Sequence, residues 1–383
     1  MLSDKVKTIK PSGIRKFFDI AASMEGVISL GVGEPDFPTP TNIREAGVRS
    51  IVEKGTTYTA NVGLMELRRA ISKYLEKRFH VEYDPANQIL VTVGASEAVD
   101  LALRAVVNPG DEVLVPEPTY VSYAPSAILA GGVAVPVPTY EKDDFRLTAD
   151  VIRSLITPKT KAIVFCYPNN PTGAVMEKDD LMAIAEVLRE HDILVIADEI
   201  YAELVYGIEH TSIATLPGMY ERTLLINGFS KAFSMTGWRL GYACGPAPLM
   251  EAMKKIHQYV IMCAPTMSQW AAIEALENGL PEVERMVAEY DKRRQTIVQG
   301  FRNMGLSCFE PKGAFYCFPR VSDLGMSSDD FCNRLLEAEK VAVVPGSAFG
   351  ESGEGFIRVS YAYSIDSINR ALVKIDRFIQ SVK

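Results

Sequence analysis

Residues 192–201, Asp192-Ile193-Leu194-Val195-Ile196-Ala197-Asp198-Glu199-Ile200-Tyr201, form an apolar, β-branched run that ends in two carboxylates. A run of this kind reads as a strand buried on both faces, as in parallel sheets covered by helices. Further β-rich runs stand at 88–93, 112–115, 162–166, 223–227 and 240–244. Between them, 97–107 and 178–191 carry apolar residues at helical spacing, so successive strands are expected to be parallel and flanked by helices. The expected fold is α/β: a large domain with a mainly parallel seven-stranded sheet.

Beyond about residue 280 the pattern changes. A charged helix at 282–304, a segment at 313–318, a second helix at 328–338 and strands at 341–344 and 356–361 predict a smaller α+β domain. The first 45 residues are rich in Gly and Pro, among them Gly31, Gly33, Pro35, Pro38 and Pro40, and suit an arm and loop across a cleft. The chain thus divides into 1–45 (arm and part of the small domain), 46–284 (large domain) and 285–383 (rest of the small domain).

The 383 residues are 48% hydrophobic, 9% aromatic and 23% charged, a globular balance that excludes disordered and fibrous classes. Acidic residues outnumber basic ones 48 to 40, for a net charge of −8, and the cations are scattered, which argues against a nucleic-acid groove. Six separated cysteines without a C-x-x-C pair, and a start without an apolar signal segment, point to a cytoplasmic protein with reduced thiols. The uncharged stretch 118–140 is broken by Pro125, Pro136, Pro138 and Gly131-Gly132, so it reads as helix, turn and strand rather than a membrane span. Four histidines, none within four residues of another, make a metal cage or serine triad unexpected. The P-loop, dinucleotide, zinc-protease and nucleophile-elbow motifs are absent from the sequence.

Four segments at strand exits carry chemistry. In Asn227-Gly228-Phe229-Ser230-Lys231-Ala232-Phe233-Ser234-Met235-Thr236-Gly237-Trp238-Arg239, a lysine among apolar neighbours and near Arg239 would have a depressed pKa suited to a Schiff base; it also reads as a surface lysine. Asp198 sits where doubly wound sheets collect ligands and would take a cationic partner such as a pyridinium, or cap a following helix with Glu199 solvated. Tyr201 falls on the same side. Asn169-Asn170-Pro171-Thr172-Gly173 is a turn after a strand, and Gly94-Ala95-Ser96-Glu97 is a strand-to-helix junction whose free N–H groups suit a phosphate, with Ser96 also readable as a helix cap.

In their joint order, S-K-x(5)-G-W-R at 230–239, D-E-x-Y at 198–201, N-N-P-T-G at 169–173 and R-V-S-Y at 358–361, the segments resemble the fold-type I pyridoxal-phosphate enzymes, class I/II aminotransferases. The branch with aspartate, aromatic and acetyl-diaminopimelate aminotransferases is nearest. The resemblance implies that Lys231 condenses with the aldehyde of pyridoxal 5′-phosphate and later shuttles the substrate proton. It implies that Asp198 pairs with the pyridine N–H, that Asn170 and Tyr201 bond the ring oxygen O3′, and that Tyr120 stacks on the ring. Ala95, Ser96, Ser230 and Arg239 would hold the phosphate, joined by Tyr58 from the neighbouring subunit of a homodimer. Arg358 would take the substrate carboxylate, Gly33 would let a mobile loop approach, and Arg15 would select the side chain; Trp238 reads as packing. The implied reaction is transamination of an L-amino acid with a 2-oxo acid, glutamate and 2-oxoglutarate forming one pair, without nucleic-acid or membrane partners. Aspartate-specific members carry lysine where this chain has Ser96. A carbon–sulfur β-lyase on the same fold is the alternative, and a non-catalytic regulator on this scaffold a remote one.

Overall fold

The structure, a computed structural model, describes residues 2–9, 11, 13–14 and 24–383. Its strands in chain order are β1 (Ile28–Ser29), β2 (Ile89–Thr92), β3 (Glu112–Glu117), β4 (Val133–Pro138), β5 (Thr160–Cys166), β6 (Leu194–Asp198), β7 (Thr223–Gly228), β8 (Gly241–Cys244), β9 (Tyr316–Cys317), β10 (Val341–Ala342), β11 (Val344–Pro345) and β12 (Ile357–Ser360). Seven of them form the central sheet in the order β2-β8-β7-β6-β5-β3-β4. β8 pairs antiparallel with both β2 and β7, whereas the β3-β4, β3-β5, β5-β6 and β6-β7 pairs are parallel. The sheet is therefore mainly parallel, as expected, with β8 as its one reversed strand among the described residues. The reversal has a functional result: β7 ends and β8 begins at the same edge, Gly228 opposite Gly241, so residues on either side of the connection meet there.

Apolar strands need covers on both faces, and the helices supply them. Helix Ala95–Val106 buries Ala98, Val99, Leu101, Ala102 and Leu103, and helix Lys178–Arg189 buries Leu181, Ile184, Ala185, Val187 and Leu188. Each buried Leu or Ile contributes roughly 1.5–3 kcal/mol of apolar burial. The uncharged stretch resolves into helix Tyr123–Ala130, a turn at Gly131 with φ 103° and strand β4.

The smaller part draws on both ends of the chain. β1 pairs in parallel with β10, while β11, β12 and β9 make an antiparallel sheet. The single strand expected at 341–344 is two short strands in two sheets. Helices Leu280–Asn303, Ser328–Glu339 and Ile365–Val382 close this core, in which Ile28 and Leu30 pack with residues such as Tyr290, Phe301, Ile368 and Phe378. Ser327 and Ser364 accept hydrogen bonds from Asp330 N–H and Ser367 N–H, which sets where two of these helices begin. The Gly- and Pro-rich residues 31–40 form an irregular loop before helix Thr41–Arg49. Among the described residues no helix is long and apolar enough to cross a membrane. The six cysteines are free, and five are buried.

Candidate active site

A cavity of about 360 Å³ opens at the carboxyl ends of β5, β6 and β7. Its lining includes Gly33, Ala95, Ser96, Tyr120, Asn170, Asp198, Tyr201, Ser230, Lys231, Arg239 and Arg358. Eleven of the thirteen residues singled out in the sequence thus converge on one space. Tyr58 stays out of it and is 79% exposed. Arg15 lies outside the described residues.

Lys231 follows β7 by three residues. Its ammonium donates to the Gly33 carbonyl at 2.6 Å and lies 5.7 Å from the Tyr201 ring centre and 5.6 Å from that of Phe315. Burial, with Arg358 and more weakly Arg239 nearby, lowers its pKa to about 8. The expected depression is present, but burial leads and Arg358 outweighs Arg239 as its charged cause.

Asp198 is the last residue of β6 and is buried. Its Oδ2 accepts the Tyr123 hydroxyl at 2.8 Å and its Oδ1 accepts Ile200 N–H at 3.2 Å. Burial pushes its carboxyl up to about 6, against these two bonds. A buried carboxylate of this kind favours a cationic neighbour. Glu199, solvated in the alternative helix-cap reading of Asp198, is instead buried and accepts from Ser212 Oγ at 2.8 Å, with His210 Nε2 at 3.0 Å. Glu199 does not line the cavity.

Arg358 extends from β12 and is buried. Its Nη1 donates to Asn170 Oδ1 at 2.8 Å, its Nη2 donates to the Gly31 carbonyl, and its Nε has no partner among the described residues. The guanidinium lies 4.6 Å from the Tyr316 ring centre, and burial lowers its pKa. The Tyr316 hydroxyl is 2.9 Å from that of Tyr201. Burial raises both phenols, Tyr316 to about 12.

Helix Ala95–Val106 starts at the cavity with Gly94 as its N-cap and no side-chain cap bond, so Ser96 does not cap it. Its first N–H groups are of the kind that bind anions. Gly94 has φ 78° and ψ 169°, a glycine conformation, and a Cβ there would lie 2.6 Å from Arg239 Nη2. Arg239 itself has φ 51° and donates from Nη1 to the Thr236 carbonyl at 3.0 Å. Trp238 packs: its Nε1 donates to Thr39 Oγ1 at 3.0 Å, and its ring abuts Gly47.

The donor set fits pyridoxal 5′-phosphate: an amine for its aldehyde, a buried carboxylate for its ring nitrogen, and uncapped N–H groups beside a guanidinium for its phosphate. Tyr123 and Tyr316 were not singled out in the sequence. Tyr123 stands three residues after Tyr120, and Tyr316 lies within 313–318; neither carries a motif of its own.

The chain matches the family Aminotransferase class I and II over residues 25–375. It is 47% identical to the aspartate aminotransferase of Pyrococcus abyssi, with 100% of this chain and 99% of that protein covered. It is 45% identical to aromatic-amino-acid aminotransferase 2 of Thermococcus litoralis, covering 100% and 99%. Among solved structures, the aspartate aminotransferase of Thermus thermophilus with maleate superposes with a TM-score of 0.94 at 38% identity, covering 99% of each chain. With its converging lysine, aspartate and arginine, the chain belongs to the class I and II aminotransferases, enzymes that depend on pyridoxal phosphate.

Proposed function

We propose that the enzyme moves an amino group between an L-amino acid and a 2-oxo acid, with glutamate and 2-oxoglutarate as one pair and an aspartate-, aromatic- or acetyl-diaminopimelate-like second substrate. The observation that carries this reading is Lys231, with a pKa near 8, in the same cavity as buried Asp198 and Arg358. Names of the relatives, aspartate and aromatic aminotransferases, support the substrate range.

When bound, pyridoxal phosphate supplies an aldehyde carbon for the amino group and a ring that accepts the electron pair left at the substrate α-carbon. Lys231 Nζ, uncharged in a useful fraction near pH 8, removes the α-proton and returns it. Asp198 keeps the ring nitrogen protonated. Asn170 and Tyr201 donate to O3′, and Tyr120 packs on the ring. The N–H groups of Ala95 and Ser96, with Ser230 and Arg239, hold the phosphate. Arg358 turns its fork to the substrate carboxylate, for which its unpartnered Nε is available. Gly33 gives the loop its close approach, and Arg15 selects the side chain.

The assembly in this reading is a cytoplasmic homodimer with Tyr58 entering the partner's site. Support comes from Val52, Tyr58, Tyr259 and Val260, exposed by 60–87%, on segments joined by the bond from Asn61 Nδ2 to the Met262 carbonyl at 2.8 Å. The small domain comprises 1–45 and 285–383, and the large domain 46–284. Borohydride trapping should label Lys231, and glutamate should bleach the visible band of the holoenzyme. Lys231→Ala should lower turnover by at least ~10²-fold while folding and pairing normally. Near-parental turnover, or no spectral change with glutamate, overturns the respective half of the reading.

A further inference from the structure

The uncapped first turn at Ala95 has an anion of its own nearby. Glu97, third residue of the helix, turns back across Gly94, and its Oε2 accepts Val93 N–H at 2.5 Å. Its Oε1 lies 2.7 Å from Nδ1 of His257, a fully buried residue on the adjacent helix Ala247–Val260. Among the described residues, Nε2 of His257 has no partner. Burying an imidazole with one nitrogen unpaired is unfavourable, so the bond to Glu97 is the polar contact that this side chain makes. The His257 carbonyl also receives Ile261 N–H and Met262 N–H at 3.0 Å each, which fixes where the residue stands.

A carboxylate at the third helical position is attracted to the free N–H groups of the first turn. Those groups are the ones assigned above to the phosphate. A released Glu97 would therefore compete with the phosphate, and at close range repel it.

We infer that His257 is a positioning residue for the cofactor's phosphate, acting by holding the Glu97 carboxylate on Val93 and away from the N–H groups of Ala95 and Ser96. A carboxylate oxygen only accepts, so Nδ1 carries the hydrogen of the bond to Glu97. The inference rests on the phosphate assignment in the proposed function.

The test uses cofactor-stripped protein and compares binding of pyridoxal phosphate with binding of pyridoxal, which has no phosphate. The parent should prefer the phosphorylated form strongly; equal affinities would overturn the phosphate assignment itself. In His257→Leu the preference should fall about tenfold through weaker pyridoxal phosphate binding, with pyridoxal affinity unchanged. His257→Asn, whose amide N–H replaces Nδ1–H, should keep the preference, and Glu97→Gln added to His257→Leu should restore it. A parental ratio in His257→Leu, or equal losses for both ligands, overturns the inference. Glu97→Gln alone provides the same test if the leucine variant does not fold: it should keep or raise the preference, and a fall overturns the inference.

Discussion

Tyr123→Phe removes one hydroxyl and leaves a ring of nearly the same shape in a fully enclosed place. In the parent, the Asp198 carboxyl stands at about 6 against an ordinary 3.8, because burial outweighs the bonds from Tyr123 and Ile200. At about 1.4 kcal/mol per pH unit, this separation makes the ionised carboxylate destabilising to the cofactor-free fold by ~3 kcal/mol. The folded chain holds the proton more tightly than the unfolded chain. Stability is therefore unaffected by this group below the ordinary value, falls as pH rises through the window from 3.8 to about 6, and stays lowered above it. A hydrogen bond to a buried carboxylate is worth ~1.5–3 kcal/mol, and the neutral acid keeps part of it, so its loss should raise the Asp198 pKa by about one unit. The assay is carboxyl ¹³C NMR of cofactor-free protein with labelled aspartate, the Asp198 signal being the one missing in Asp198→Asn. The midpoint should rise by about one unit in Tyr123→Phe, and the variant's urea midpoint should fall behind the parent's more at pH 8 than at pH 4. An unchanged or lower NMR midpoint would refute the reasoning.

A Cβ on Gly33 would lie 2.3 Å from the Tyr316 hydroxyl, so Gly33→Ala must displace the loop or the ring and with it the carbonyl that holds Lys231. Steady-state kinetics should show kcat/KM lower by ~10²-fold with little change in melting temperature, and a parental kcat/KM would contradict this. Arg358→Lys keeps a cation but loses the planar fork that reaches Asn170 and Gly31. KM for amino acids should rise by ~10²-fold while decarboxylated amines react as before, and an unchanged amino-acid KM would contradict the assigned role.

The strands of the large sheet other than the half-exposed β4 were legible because burial on both faces leaves an apolar run that few other elements share. The expected runs at 162–166 and 223–227 are β5 and β7 to within two residues. The direction of β8 was not legible, since an apolar run reads alike both ways. What turns it is the compact connection from Phe229 to Leu240, whose N–H and C=O bond to each other and return the chain to the same edge. Lys231, Asp198 and Arg358 stood out because each lies in an ordered motif at a strand or its exit. Tyr123 and Tyr316 act through neighbours 75 and 115 positions away, and no local pattern encodes such a partnership. The alternative with Glu199 solvated stayed open in the sequence because Ser212 and His210, which receive it in the interior, follow 13 and 11 residues later.

The substrate arginine and the loop it grips are 327 residues apart, and β1 waits for a partner strand that begins at Val341. At ~5–20 residues per second, a ribosome needs roughly 15–65 s to make that intervening length. The strands of the central sheet and Lys231 precede Arg358 by more than 110 residues and so leave the ribosome before it. For the roughly 6–25 s that the 127 residues from Lys231 to Arg358 take, the nascent protein has the lysine but neither the arginine nor the closed loop. An aldehyde-bearing cofactor captured then would be held with its substrate side open to water and passing amines, so the split design places completion of synthesis ahead of completion of the site.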